Sequence, residues 1–398
     1  MNTRTKKIAI VQGMSCVIVL SLFISTVAIM EHPSDYLPDR IARSDRKGEM
    51  YGYVFLPWSN IMSSGVAEEY MDLIAQCLDF CYVHAQWSLI GTDNNTLNEN
   101  YLGNLTDFIR GLGARGVDVV IHIWTSSYTP TWMHQYTPEL VGQKDRWPGI
   151  DPNTENQTAL EHRKNLKNSM LHFQSQLCQY FINQGVGDHI RGFCLDDETS
   201  SDNWTDFFAE LTDVIHSYNS SWQTQVMFNR IDKYHISKEA GLDVHAMDPY
   251  DQDVRLIQKI HYAYNVTGMD KISVLLDAMT DHENNAENKQ MRRQAWISWF
   301  MGADSIGWYT FLYSTDTWAC ALNNWSVGEG PGITSKTQTV LSTANDIWNL
   351  NEAYEKISNQ ADLQLKEEWM DKLLEAYSAV KVNDFIRGTS LIAEVLEA

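Results

Sequence analysis

The sequence predicts an α/β protein: a (βα)8 TIM barrel with an N-terminal membrane anchor and a short C-terminal helical extension. Three observations carry this. Eight short runs rich in β-branched and aromatic residues alternate with stretches whose apolar residues recur near every 3.6 positions. Strict alternation of that kind gives a parallel sheet with right-handed crossovers, and eight units in about 310 residues give closure into a barrel. An open doubly wound sheet would carry a glycine-rich turn after its first strand, and residues 51–59 contain no such turn.

In chain order, Arg4, Lys6 and Lys7 precede an apolar stretch over 8–30, with no acid before Glu31. At 23 residues it exceeds a secretory core of about 7–15 residues and meets the roughly 20 that a spanning helix needs. It therefore reads as a signal-anchor with the barrel outside the cytoplasm. The alternative is a cleaved signal peptide, with Thr26-Val27-Ala28 as the small-residue site. Residues 31–48, polar and holding Pro33 and Pro38, read as a linker. A catalytic barrel is expected over 49–358 and a helical extension over 359–398.

Strands are expected at 51–57, 80–87, 117–124, 190–196, 224–229, 242–247, 271–277 and 305–311. Helices are expected at 68–77, 100–112, 163–183, 204–218, 254–264, 289–301 and 335–357, with a short, poorly marked one between the fifth and sixth strands. The tail reads as one helix and a short apolar end, covering the barrel or pairing with another chain. Two connections are long. The one after strand three carries Tyr128, Trp132, Tyr136 and Trp147, and the one after strand eight carries Trp318 and Trp325. Long loops at the C-terminal face of such a barrel build its sites.

Composition narrows the function. With 44% hydrophobic residues, 22 Gly and 9 Pro the chain is neither disordered nor collagen-like. A net charge of −21 excludes a phosphate-backbone binder, so no nucleic-acid partner is expected. Six cysteines without close pairing make neither a disulfide scaffold nor a zinc site, and no metal or cofactor is expected. Seven Asn-x-Ser/Thr sequons, at Asn94, Asn104, Asn156, Asn203, Asn219, Asn265 and Asn324, would make a glycoprotein in a glycosylating host. The 14 Trp and 18 Tyr suit a ligand with flat apolar faces, such as a sugar ring.

The most informative segment ends strand four as Asp196-Asp197-Glu198. Alternation would send Gly192, Cys194, Asp196 and Glu198 inward, Phe193 and Leu195 outward, and Asp197 sideways. Three adjacent carboxylates at the end of an apolar strand force one to hold a proton, as a general acid requires. Further acids end strand six (Asp248) and strand seven (Asp277). Trp58, Trp87, His122, Trp124, Asn229, Tyr250, Trp308 and Tyr309 are the candidate substrate-binding residues, with His84 and Gln86 near them on strand two. A carboxylate site ringed by aromatics suits glycoside hydrolysis, which needs one acid and one carboxylate.

This arrangement resembles the (βα)8 glycoside hydrolases at superfamily level. The Asp196-x-Glu198 spacing is similar to that of chitinase-like enzymes, and the Asp197-Glu198 pair to that of β-hexosaminidase-like ones. The stretch 293–309 resembles the helix-seven-to-strand-eight region of several secreted sugar-cleaving barrels. The chain departs from the fuller chitinase pattern at Gly192 and Cys194. It also departs from the retaining clan with two Glu, since no Asn-Glu pair ends strand four and strand seven ends in Asp.

The resemblance implies Glu198 as acid/base. Its partner is then Asp277, Asp248 as in α-galactosidase-like barrels, or a substrate acetamido group steered by Asp196 or Asp197. The expected partner molecule is an oligo- or polysaccharide or a glycoconjugate, and oligomeric state is left open. A metal-dependent hydrolase on the same barrel and a non-catalytic surface carbohydrate-binding barrel are the rival readings.

Overall fold

The computed structural model describes residues 48–54, 62, 67–85, 87–91, 93, 96–123, 152–198, 202–278, 285–312 and 335–398. The expected anchor, the linker up to residue 47, Trp58, Gln86, Trp124 and most of both long loops lie outside these residues. Among the described residues no helix is long and apolar enough to cross a membrane.

Eight parallel strands form a closed barrel in sequence order: β1 (Glu49–Val54), β2 (Phe80–His84), β3 (Asp118–His122), β4 (Ile190–Asp197), β5 (Gln223–Phe228), β6 (Val244–Met247), β7 (Ile272–Asp277) and β8 (Ser305–Leu312). Closure comes from β8 pairing with β1, as in Tyr51 opposite Gly307. The described helices, in chain order, are α1 (Ala67–Ala75), α2 (Trp87–Ile90), α3 (Glu99–Gly113), α4 (Gln157–Asn183), α5 (Thr205–Tyr218), α6 (His235–Glu239), α7 (Asp253–Thr267), α8 (Asn285–Phe300), α9 (Ser335–Ser358), α10 (Leu363–Lys381) and α11 (Phe385–Glu397).

The barrel interior is filled by side chains in phase across neighbouring strands. Tyr51, Tyr53, Phe80, Tyr82, Val120, Cys194, Met227, Ala246 and Leu275 form one buried cluster. Tyr51 stacks on Phe80 with ring centroids 5.0 Å apart and lies equally close to Tyr82. Rings this large need small neighbours. A Cβ on Gly307 would sit 2.2 Å from the Tyr51 ring, and one on Gly192 would sit 2.0 Å from the backbone oxygen of Gln223. At the N-terminal end an extra residue in β4, Arg191, pairs with Glu49 and lies 4.3 Å over the Phe80 ring. This ion pair sits at the end of the barrel away from the mouth.

Two elements differ from expectation. Helix α4 begins at Gln157, six residues before the expected 163, because Asn156 caps it by accepting from the Ala159 N–H at 3.2 Å. Its first turns are polar and give no apolar rhythm. The tail is two full helices, not one helix and an apolar end. The break at 382–384 carries neither Gly nor Pro; Asn383 takes φ of 63° and Asp384 caps α11 through the Arg387 N–H. Both helices cover the barrel's helical layer in the same chain. Tyr377 of α10 lies 4.6 Å from Phe300 of α8, and Lys356 of α9 donates to the Leu396 carbonyl at 2.8 Å.

Candidate active site

The end of β4 does not follow simple alternation. Between Cys194 and Asp197 the strand advances three residues while β5 advances two, from Gln225 to Met227. One extra residue forms a β-bulge, which resets the faces. Asp197 thereby shares register with Met227 of the barrel core and faces inward, where simple alternation had sent it sideways. Asp196 is fully buried. Glu198 stands exposed just beyond the strand, in the left-handed region at φ 52°, with its N–H donating to the Met227 carbonyl at 3.0 Å.

Asp248 follows β6, is only 2% exposed, and its N–H donates to the Phe228 carbonyl at 3.3 Å. Its carboxyl is hydrogen-bonded to that of Glu198. Burial, then the charges of Asp197 and Glu198, then that hydrogen bond push Asp248 well above the usual carboxylate range. A carboxyl buried beside another acid keeps its proton to higher pH than an ordinary carboxylate, and here that carboxyl is Asp248. Among the described residues the strongly raised carboxyl is thus Asp248, on a different strand from the 196–198 run.

Tyr250, two residues on, has φ of 36° and is 40% exposed, with its ring 6.1 Å from that of Tyr309. Burial of its hydroxyl and the charges of Asp248 and Asp197 raise the phenol well above its ordinary value, so it remains a hydrogen-bond donor. Tyr309 packs on the barrel core, 5.6 Å from Tyr53. Asp277 pairs in register with Tyr309, which puts it on the same inner face. Asn229 directly follows β5, and its Oδ1 is buried with no hydrogen-bond partner among the described residues.

On the other side of the mouth His84 and His122 pair in register, their rings 5.7 Å apart. Tyr53 meets His122 edge-on at 5.2 Å. Burial lowers both imidazoles to about 3, so they are neutral at ordinary pH. Tyr53 was not among the sequence candidates, although its place two residues after Tyr51 on one face was a readable signal.

Two sequence candidates fall elsewhere. Trp87 is fully buried in α2, 5.2 Å from Phe173 of α4, and packs the helical layer. Trp308 is in register with Gly52 and Leu276, out of phase with the inward Tyr51, Leu275 and Gly307, and is fully buried on the outer face. The alternation that turns Tyr309 inward necessarily turns Trp308 out. Trp58 and Trp124 lie outside the described residues. Among the described residues no group of three or more His, Cys, Asp or Glu is placed to hold a metal ion.

No protein family's sequence profile matches the chain, and no curated protein matches it. Solved structures do. A β-galactosidase from the psychrophilic Marinomonas ef1 superposes with a TM-score of 0.55 at 9% identity, covering 82% of this chain and 68% of that one. An exo-β-1,4-mannosidase from Opitutaceae bacterium strain TAV5 gives 0.54 at 9% identity, covering 77% of this chain and 62% of that one, less than two thirds of its length. GH5_18 from Streptomyces cattleya, in complex with GlcNAc, gives 0.53 at 10% identity, covering 86% of this chain and 97% of that one. The chain therefore has the barrel fold of glycoside hydrolases, and at these identities the likeness is one of fold.

Proposed function

We propose that the chain is a glycoside hydrolase cleaving O-glycosidic bonds by carboxyl acid/base catalysis at the barrel mouth. The observation that carries this is the hydrogen-bonded Glu198–Asp248 pair, one member buried and one exposed, beside Tyr250 and the inward-facing Tyr309 and Asp277. Glu198 is the member open to solvent and so the one a glycosidic oxygen can reach. It delivers a proton to the leaving oxygen, and Asp248 supplies that proton from behind.

Asp248 sits too close to Glu198 to be the second carboxylate of a retaining pair, which needs about 5–5.5 Å. That role falls to Asp277 on β7, or to a substrate acetamido group oriented by Asp197. The solved relative bound to GlcNAc is one protein of this fold that holds an acetamido sugar. The neutral imidazoles of His84 and His122, the Asn229 amide and the Tyr250 phenol supply hydrogen bonds for sugar hydroxyls. The apolar 8–30 stretch and its basic flank support a barrel that works outside the cytoplasm, anchored or released.

The test is hydrolysis of a broad panel of aryl glycosides and natural glycans by the full chain and by Glu198→Gln. Turnover by the parent with a loss of about 10²–10⁴-fold in the variant supports the assignment. Equal turnover removes Glu198 from the role. A parent that binds glycan and releases it intact makes the barrel a carbohydrate-binding protein.

A further inference from the structure

The turn after β6 must hold Asp248 against Glu198 while Tyr250 sits in a left-handed conformation that a non-glycine residue disfavours. Such a turn persists only where its surroundings over-determine it. Here the supports come from helices. Lys259 of α7 donates to the Pro249 carbonyl at 3.0 Å and pairs with Asp251 at 2.7 Å. Gln294 of α8 donates to the Asp251 carbonyl at 2.7 Å.

The residue before it, Arg293, reaches two ways. Its Nε donates to Asp253, the first residue of α7, at 2.6 Å, and its Nη1 donates to Oδ1 of Asn383 at 2.6 Å. Asn383 is the left-handed residue between α10 and α11. The same hairpin is gripped a second time by Arg292, which binds Asp346 of α9 at 2.6 and 2.9 Å and lies 4.6 Å over the Phe385 ring. Gly388 lets α11 close on α10, since a Cβ there would sit 2.7 Å from Val380.

We propose that the C-terminal α10–α11 hairpin is a latch that positions the Asp248–Tyr250 turn through Arg293. The proposal rests on the assignment of Asp248 and Tyr250 to the reacting site. Asn383 touches no reacting group and is a positioning residue. The guanidinium ties the tip of the hairpin to the start of α7, two residues after Asp251, and Gln294 beside it holds the turn itself. Release of Asn383 frees Arg293 to swing, loosens the α7 start, and lets water reach Asp248.

The test uses the full chain. Asn383→Gly keeps the left-handed backbone and removes the acceptor, whereas Asn383→Asp keeps the acceptor. The readouts are kcat and KM against pH, and the titration of Asp248 by carboxyl NMR on aspartate-labelled protein. The charged and titratable groups facing Asp248 are Asp197 and Glu198 from β4, Tyr51 from β1, Tyr234 after β5, and Tyr250 on its own turn. These are the same in all three proteins.

Asn383→Gly is expected to lower kcat about ten-fold with KM within about two-fold, and to move the Asp248 titration to lower pH. Asn383→Asp is expected to stay within about two-fold of the parent in both. A Gly variant with parental kcat, pH profile and Asp248 titration overturns the latch, even if it melts earlier. So does an Asp variant as impaired as the Gly one. If the parent cleaves no glycan, the glycosidase reading falls separately and the Asp248 titration alone decides: a shift in Asn383→Gly upholds the latch and no shift overturns it.

Discussion

The carboxyl of Asp248, buried at the end of β6, is hydrogen-bonded across β5 to the carboxyl of Glu198, exposed at the end of β4. One acid faces the interior and the other the solvent.

Asp248 titrates above its ordinary 3.8, so protonation favours the folded state. Its contribution is whole below the ordinary value and is lost as pH rises through the raised one. An amide needs no proton. Asp248→Asn is therefore expected to melt above the parent at neutral pH, with the gap closing as pH falls toward the ordinary value. Thermal unfolding across that range reads it, and a parent that stays more stable at neutral pH contradicts the raised titration of Asp248.

Asp277 is expected to be the nucleophile if the substrate brings none of its own. Asp277→Ala should then lose about 10³-fold or more in turnover, and added azide should restore it by attacking the vacated sugar carbon. Loss without azide rescue, on a substrate lacking an acetamido group, points to Asp277 as a base for water.

His84, His122 and His245 each titrate near 3 in the fold against an ordinary 6.5, in every case through burial. The unfolded chain then binds more protons between those values, so stability falls as pH drops from about 6.5 toward 3. His245 of β6 turns its ring to the outer face of the barrel, stacked on Phe228 with its Nδ1 2.8 Å from the Ser237 hydroxyl. His245→Asn should flatten the acid slope without changing glycan turnover. An unaltered slope in urea titrations would mean that His245 does not carry its share.

Trp87→Ala should cost about 3–5 kcal/mol of stability, the toll of emptying a buried aromatic site. Trp87→Phe should leave KM unchanged. A large KM effect in the Phe variant would return Trp87 to the binding site. Gly192→Ala should be as damaging as the Trp deletion, on the order of 3 kcal/mol, because the clash is with Gln223 backbone.

Most of the strand and helix order was readable in the residues themselves. Strand propensity and apolar period are local, and each β-run lies within a few positions of its strand. Where local signals were silent, the reading was incomplete. The polar start of α4 depends on its Asn156 cap, and the α10–α11 break on its Asp384 cap and on packing against α8 and α9, not on rhythm or on Gly and Pro.

The sequence by itself determined eight alternating units, the acids that end strands four, six and seven, and the net charge of −21. The tertiary structure alone decided which acids meet. A bulge between β4 and β5 set the face of Asp197, pairing of β5 with both neighbours set the ends of β4 and β6 one strand apart, and strict alternation turned Trp308 away while keeping Tyr309. Those outcomes depend on register between distant segments, where a shift of one residue reverses every side chain, and such pairing is a property of the assembled sheet.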